Sequence, residues 1–274
     1  MTKIMKNTKI MKNVALTLAM LVSALAAPLH AFEVSGESFD ADFNITSWTS
    51  NVDGISLTAE GEVGEGYGKV YLSYDFVSSS ADKNQGDFSG DARTINNDGV
   101  MVAGTLQGIW KRNGKMVTIY TLDQFSNGDM IYAKGNVDLV KGTMSFTAYP
   151  IQSFEVSGES FDADFNFTSW TSNVDGISLT AEGEVGEGYG KVYLSYDFVS
   201  SSADKNQGDF SGDARTINND GVMVAGTLQG IWKRNGKMVT IYTLDQFSNG
   251  DMIYAKGNVD LVKGTMSFTA YPIQ

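Results

Sequence analysis

The sequence predicts an all-β chain: two tandem, near-identical, eight-stranded antiparallel barrels of calycin-like type behind an export signal. Three observations lead there. Residues 32–152 and 154–274 repeat one another, apolar residues recur with a period of two between turn residues throughout each copy, and the first 31 residues differ in character from all that follows.

The opening segment reads as a signal peptide, residues 1–31. Lys3, Lys6, Lys9 and Lys12 precede the apolar run VALTLAMLVSALAA and then PLHA, the order of a basic, an apolar and a cleavage region, so cleavage is expected after Ala31. The apolar run is short for a bilayer span and no later stretch is longer, so no helical membrane anchor is expected. The mature protein is expected to be exported, to the periplasm or the medium. The chain has no cysteine, and its one histidine, His30, lies in this leader. Disulfides, lipoprotein anchoring, Ser-His-Asp and Cys-His catalysis and the usual zinc sites are thereby excluded, and the sequence implies no cofactor or metal.

Without the leader's lysines, 16 basic residues face 32 acidic ones, a formal net charge of −16. Phosphate contacts need the opposite sign, which excludes nucleic acid as a partner. Anionic membranes and polysaccharides are disfavoured too, while cations and neutral or apolar ligands stay open.

The two copies of 121 residues are joined by Ser153 and differ at one position, Ile45 against Phe167. The period is far longer than that of solenoid repeats and each unit is large enough for its own core, so 32–152 and 154–274 are read as two domains. The repeat reads as a recent duplication, or as a unit that pairs with itself and whose fusion makes that pairing intramolecular; a deliberate concatemer would look the same. A one-residue joint implies that the domains touch or exchange a strand.

Within a copy the strands follow in order. Phe39, Ala41, Phe43 and Ile45 alternate with polar residues, as do Ile55, Leu57, Ala59 and Val63. Val70, Leu72, Tyr74 and Phe76 come next, then Phe88, Gly90, Ala92 and Thr94. Val100, Val102, Gly104, Leu106, Gly108 and Trp110 share one side, continued by Val117, Ile119 and Thr121. Ile131, Ala133, Val137 and Leu139, then Met144, Phe146 and Ala148, complete eight strands. Eight sequential antiparallel strands with one apolar face close most economically into an up-and-down barrel.

Two turns set registers. A two-residue Asn113-Gly114 hairpin pairs Trp110 with Val117, Gly108 with Ile119 and Leu106 with Thr121. A three-residue Asn97-Asp98-Gly99 loop pairs Ala92 with Gly104, whereas a two-residue loop would set Arg93 against Gly104 on the apolar side.

The segments GTLQGIWKRNGKMVTIYTLDQFSNGD and EGEVGEGYGKVYLSYDF resemble the strand grammar of bacterial allene oxide cyclase-like barrels. That calycin-like group holds cyclases, isomerases and uncharacterised secreted proteins. The resemblance spans about half of each copy and implies the fold; no catalytic residue is carried over from it.

Gly90, Ala92, Gly104, Gly108 and Ala133 make the inner face rich in small residues, which either make room for Trp110, Tyr74 and Phe43 or leave a ligand cavity. Candidate ligand-binding residues are Trp110 and Trp232, Gly104 and Gly226, and the differing pair Ile45 and Phe167. Asp123 and its copy Asp245 are the polar exceptions on that face. The Asn113-Gly114 register sets Asp123 opposite Gly104, where a buried carboxyl could serve as general acid or base with Tyr74 (Tyr196 in the second copy); its place near the Ser126-Asn127-Gly128 turn would equally suit a solvated mouth. The Ser78–Asp87 loop is the longest polar connection and is expected over one mouth. Its DKNQGD departs from the calcium-loop order, with glycine fifth and no closing glutamate. Asn44 and Asn166 head glycosylation sequons but lie in predicted strands.

Three functions fit. The first is an exported module binding a small apolar or aromatic ligand in each lumen. The second is a His- and Cys-independent cyclase or isomerase on a small hydrophobic substrate, and the third a structural barrel, either of the outer membrane, with sixteen strands facing lipid, or of a secreted matrix.

Overall fold

A computed structural model describes residues 31–273, apart from 53, 81, 175 and 203; residues 1–30, all of the expected leader but Ala31, lie outside the described residues. The described chain is all strand and turn. The first copy contains β1 (Glu33–Gly36), β2 (Phe39–Ser50), β3 (Gly54–Val63), β4 (Gly68–Ser78), β5 (Gln85–Ile95), β6 (Met101–Asn113), β7 (Met116–Phe125), β8 (Met130–Asp138) and β9 (Thr143–Pro150). The second contains β10 (Phe154–Ser157), β11 (Phe161–Ser172), β12 (Gly176–Val185), β13 (Gly190–Ser200), β14 (Gln207–Ile217), β15 (Met223–Asn235), β16 (Met238–Phe247), β17 (Met252–Asp260) and β18 (Thr265–Ile273).

Strands β2–β9 close into one antiparallel up-and-down barrel and β11–β18 into another. The sixteen long strands therefore form two eights, not one lipid-facing barrel of sixteen. Apolar side chains of alternating positions fill each lumen, among them Phe43, Leu57, Leu72, Phe88, Leu106, Ile119, Met144 and Phe146 in the first. Closure leaves no sheet edge, which suits a chain of long, flat, alternating strands.

Of the two turn expectations, one holds and one shifts. Gly99 takes φ +77° and Ala92 pairs with Gly104, as the three-residue loop requires. At the next hairpin Asn113 pairs with Met116, so the loop is Gly114-Lys115, and Gly114 alone carries a positive φ, +61°. A glycine at the first central position is what a type II′ turn demands. Every pair moves by two: Trp110 faces Ile119, Gly108 faces Thr121, and Phe125, not Asp123, faces Gly104. The inner face is unchanged, because a shift of two preserves alternation.

The four-residue β1 and β10 are additional to the expected eight strands per copy. They pair with each other antiparallel, Val34 against its own copy Val156. Below this ribbon, outer-face residues of β6–β8 and β15–β17 form a third core: Ile109, Leu122, Met130 and Tyr132 with Ile231, Leu244, Met252 and Tyr254. Contacts are reciprocal, as in a twofold interface. Gln107 Nε2 donates to Gly230 O and Gln229 Nε2 to Gly108 O. Each arm touches both barrels: Phe32 lies 5.5 Å from the Tyr254 ring and 6.3 Å from that of Tyr132, and Phe154 5.5 Å from Tyr132 and 6.1 Å from Tyr254. The barrels thus touch, and neither gives a strand to the other: the short arms pair with each other outside both barrels. Their axes run antiparallel: Gln124, at the β7–β8 end of the first, bonds Ser201 in the β13–β14 loop, at the other end of the second.

Candidate functional site

Aromatic rings divide each lumen into two unequal cavities. On β4, Tyr74 lines one and Phe76 the other; Phe88 lines neither and lies 5.4 Å from the Tyr74 ring and 5.1 Å from that of Phe76. Trp110 stands edge-on to Phe76 at 6.2 Å. Such pairs each add about 0.5–1.5 kcal/mol beyond their burial, so the partition is a stable part of the core.

The larger cavity occupies the end crowned by the β2–β3, β4–β5, β6–β7 and β8–β9 connections, and measures ≈440 Å³ in the first barrel and ≈340 Å³ in the second. Its walls are Leu57, Val117, Val137 and Leu139, its floor Phe76 and Trp110, and its rim Trp48, Val52, Lys83 and Arg112. Trp110 Nε1 donates to Val77 O and Asp87 O, both at 3.1 Å, which fixes the indole plane. Gly86 permits that reach, since a Cβ there would sit 2.8 Å from Nε1. Trp48 joins the rim through a bulge: pairing shifts between Ile45 and Ser47, so the extra residue, Thr46, moves the inward positions from odd to even. Trp48 and Val52 remain 46% and 86% exposed.

The smaller cavity, ≈70 Å³ in each barrel, lies at the opposite end and contains Tyr74, Thr121 and Asp123. Tyr67 closes this end. Its hydroxyl donates to Asp129 Oδ2 at 2.6 Å, and its ring lies 5.5 Å from that of Phe125 and 6.0 Å from that of Phe39. Burial, then the Asp129 contact, raises the Tyr67 pKa.

Asp123 is buried, not at a solvated mouth. Leu106 and Gln107 drop out of the β6–β7 ladder, and the Asp123 carboxyl accepts the Gln107 N–H so freed. Thr121 Oγ1 contacts both Gln107 O, at 3.1 Å, and the Asp123 carboxyl. One hydroxyl proton is shared between these two acceptors. Protonation of Asp123 would free Thr121 to donate to Gln107 O alone while accepting the new O–H. Burial raises this pKa to about 7, against the lowering effect of the two hydrogen bonds. Asp245 repeats the arrangement with Thr243 and Gln229. Tyr74 and Tyr196 are pushed well above their ordinary value by burial and then by these carboxyls.

The expected site residues are therefore not gathered in one pocket. Asp123 and Tyr74 share the small cavity; Trp110 belongs to the large one. Gly104 makes room rather than a pocket, since a Cβ there would sit 2.6 Å from the Phe125 ring. Ile45 packs against the core from the side, and its counterpart Phe167 stacks 6.1 Å from Trp170, a rim residue of the smaller of the two mouths. The Ser78–Asp87 loop does cover a mouth, but Ser80 and Asn84 engage Asp82 at 2.7 and 2.9 Å. No three acidic or histidine side chains converge among the described residues. Trp48, Tyr67, Lys83 and Arg112 were not expected at a site. Only Arg112 had a visible signal, one further step of the alternation past Trp110.

Compared with family models, curated proteins and solved structures, the chain matches none. The reading of function therefore rests on this geometry.

Proposed function

We propose that the protein is an exported tandem binding module whose two barrels each hold one small apolar or aromatic molecule at the Trp110 and Trp232 mouths. The carrying observation is the pair of mouth cavities, ≈440 and ≈340 Å³, walled by aliphatic side chains over an aromatic floor. That volume and lining suit a small-molecule site. The leader's basic, apolar and cleavage regions support export.

The cyclase or isomerase alternative requires a substrate to reach Asp123 and Tyr74. Their ≈70 Å³ cavity suits a water or two, and Phe76 and Phe88 stand between it and the mouth. This arrangement favours binding over catalysis.

The test is native mass spectrometry of the mature protein from its own host, with fluorescence titration of Trp110 and Trp232 by neutral aromatic probes. A co-purifying compound at one or two per chain, or saturable quenching lost in Trp110→Leu/Trp232→Leu, is the expected result. A clean apo mass together with no saturable probe binding would overturn the proposal.

A further inference from the structure

We infer that the mouth site selects compact amphipathic anions: an aromatic or alicyclic body carrying one carboxylate or sulfonate, its rings on Trp110 and its anion at Arg112 and Lys83. The inference rests on the binding reading above and specifies its ligand.

Two observations carry it. The chain is strongly acidic once its leader is removed, yet among the described residues the charged side chains lining the mouths are basic: Lys83 and Arg112 in one, Lys205 and Arg234 in the other. None of the four forms an ion pair among the described residues. An acidic surface has neutralising partners in abundance, so unpaired cations converging on an apolar cavity amount to a local inversion of charge.

The second observation is that the cations are held in place. Arg112 continues the inward alternation of β6 one step beyond Trp110, and both line the same mouth. Its backbone N–H donates to Asn84 O at 2.6 Å, and its Nε and Nη2 donate to Asn84 Oδ1 at 3.1 and 2.7 Å. Asn84 is a neutral acceptor, so these bonds orient the guanidinium without an ion pair, while Asn84 Nδ2 donates in turn to Asp82 Oδ2 at 2.9 Å. Arg234 repeats them on Asn206 at 2.7, 3.1 and 2.8 Å. Lys83 precedes Asn84 in a left-handed conformation, φ +55°, fixed by its own N–H to Ser80 O at 3.0 Å. A pinned guanidinium needs little further ordering to receive a planar anion. The opposite end of the same barrel presents Asp123 and Asp129, so an anion is favoured at one end only.

The experiment titrates the mature tandem protein with two dyes that share one ring system: 1-anilinonaphthalene-8-sulfonate and its uncharged parent, N-phenyl-1-naphthylamine. The sulfonate is expected to bind at two per chain and about ten-fold more tightly than the parent, an advantage that shrinks as salt rises. Arg112→Gln/Arg234→Gln should bring the ratio of the two affinities close to one, Arg112→Lys/Arg234→Lys should retain part of it, and Lys83→Gln/Lys205→Gln should lower it several-fold. Far-ultraviolet circular dichroism checks that each variant stays folded, and the exposed-loop lysine variant tests the inference if the arginine variant does not. If the parent binds at the mouth but the sulfonate gains nothing, or keeps its gain in the glutamine variants, the anion inference fails and the binding module stands. If neither dye binds, both fall.

Discussion

Replacing Asp123 and Asp245 by Asn should change how stability depends on pH more than it changes stability itself. In the unfolded chain each carboxyl ionises near 3.8, and in the folded barrel only near 7, because burial penalises the charge. Between those values the folded protein retains two protons that the unfolded chain has lost. Stability from this source is complete below about pH 4, falls as pH rises through 7, and then levels off. Three pH units at about 1.4 kcal/mol each give about 4 kcal/mol per barrel. Asn mimics the protonated form: its amide donates to Thr121 and its carbonyl accepts the Gln107 N–H. The double variant should therefore match the wild type at about pH 4.5 and exceed it by several kcal/mol at about pH 8. Urea unfolding of both proteins at matched pH values, followed by tryptophan fluorescence and circular dichroism, measures the difference and cancels the other carboxylates. A wild-type-minus-variant difference that stays flat from about pH 4.5 to about pH 8 would refute the burial argument.

Other substitutions test the remaining geometry. Phe167→Ile should enlarge the second mouth toward the first and equalise probe affinity across the two sites, read by isothermal titration. Gly104→Ala should cost about 1–3 kcal/mol, because the new methyl meets the Phe125 ring within a closed core; chemical denaturation reports it. Gln107→Ala with Gln229→Ala leaves the buried carbonyls of Gly230 and Gly108 without these donors, and should cost about 1–3 kcal/mol at each site. Hydrogen exchange should then quicken first in β6–β8 and β15–β17, whereas uniform loss of protection would place the damage elsewhere.

The closed barrels were legible because one face of each strand is apolar over several alternations, and that signal survives errors of detail. A hairpin slipped by two residues keeps every side chain on its face, so periodicity alone could not choose between Asn113-Gly114 and Gly114-Lys115. The position of glycine within the turn decided it. The inter-barrel core had a signal that alternation obscures: Ile109, Tyr120, Leu122, Met130 and Tyr132 are apolar on the face that should be wet, the mark of strands buried on both sides. Asp123 shows the other limit. Its burial depends on a break in the ladder at Gln107, and the small cavity depends on Tyr67 reaching a residue 62 positions away. Neither is encoded in a local pattern.

The antiparallel arrangement marked by the contact of Gln124 with Ser201 has a consequence for valence. Two identical entrances facing the same way would let the molecule grip one flat target twice and gain from the second contact. Here each entrance lies beside its neighbour's closed end, so a planar surface meets one at a time. The duplication leaves the two entrances at opposite poles of the molecule.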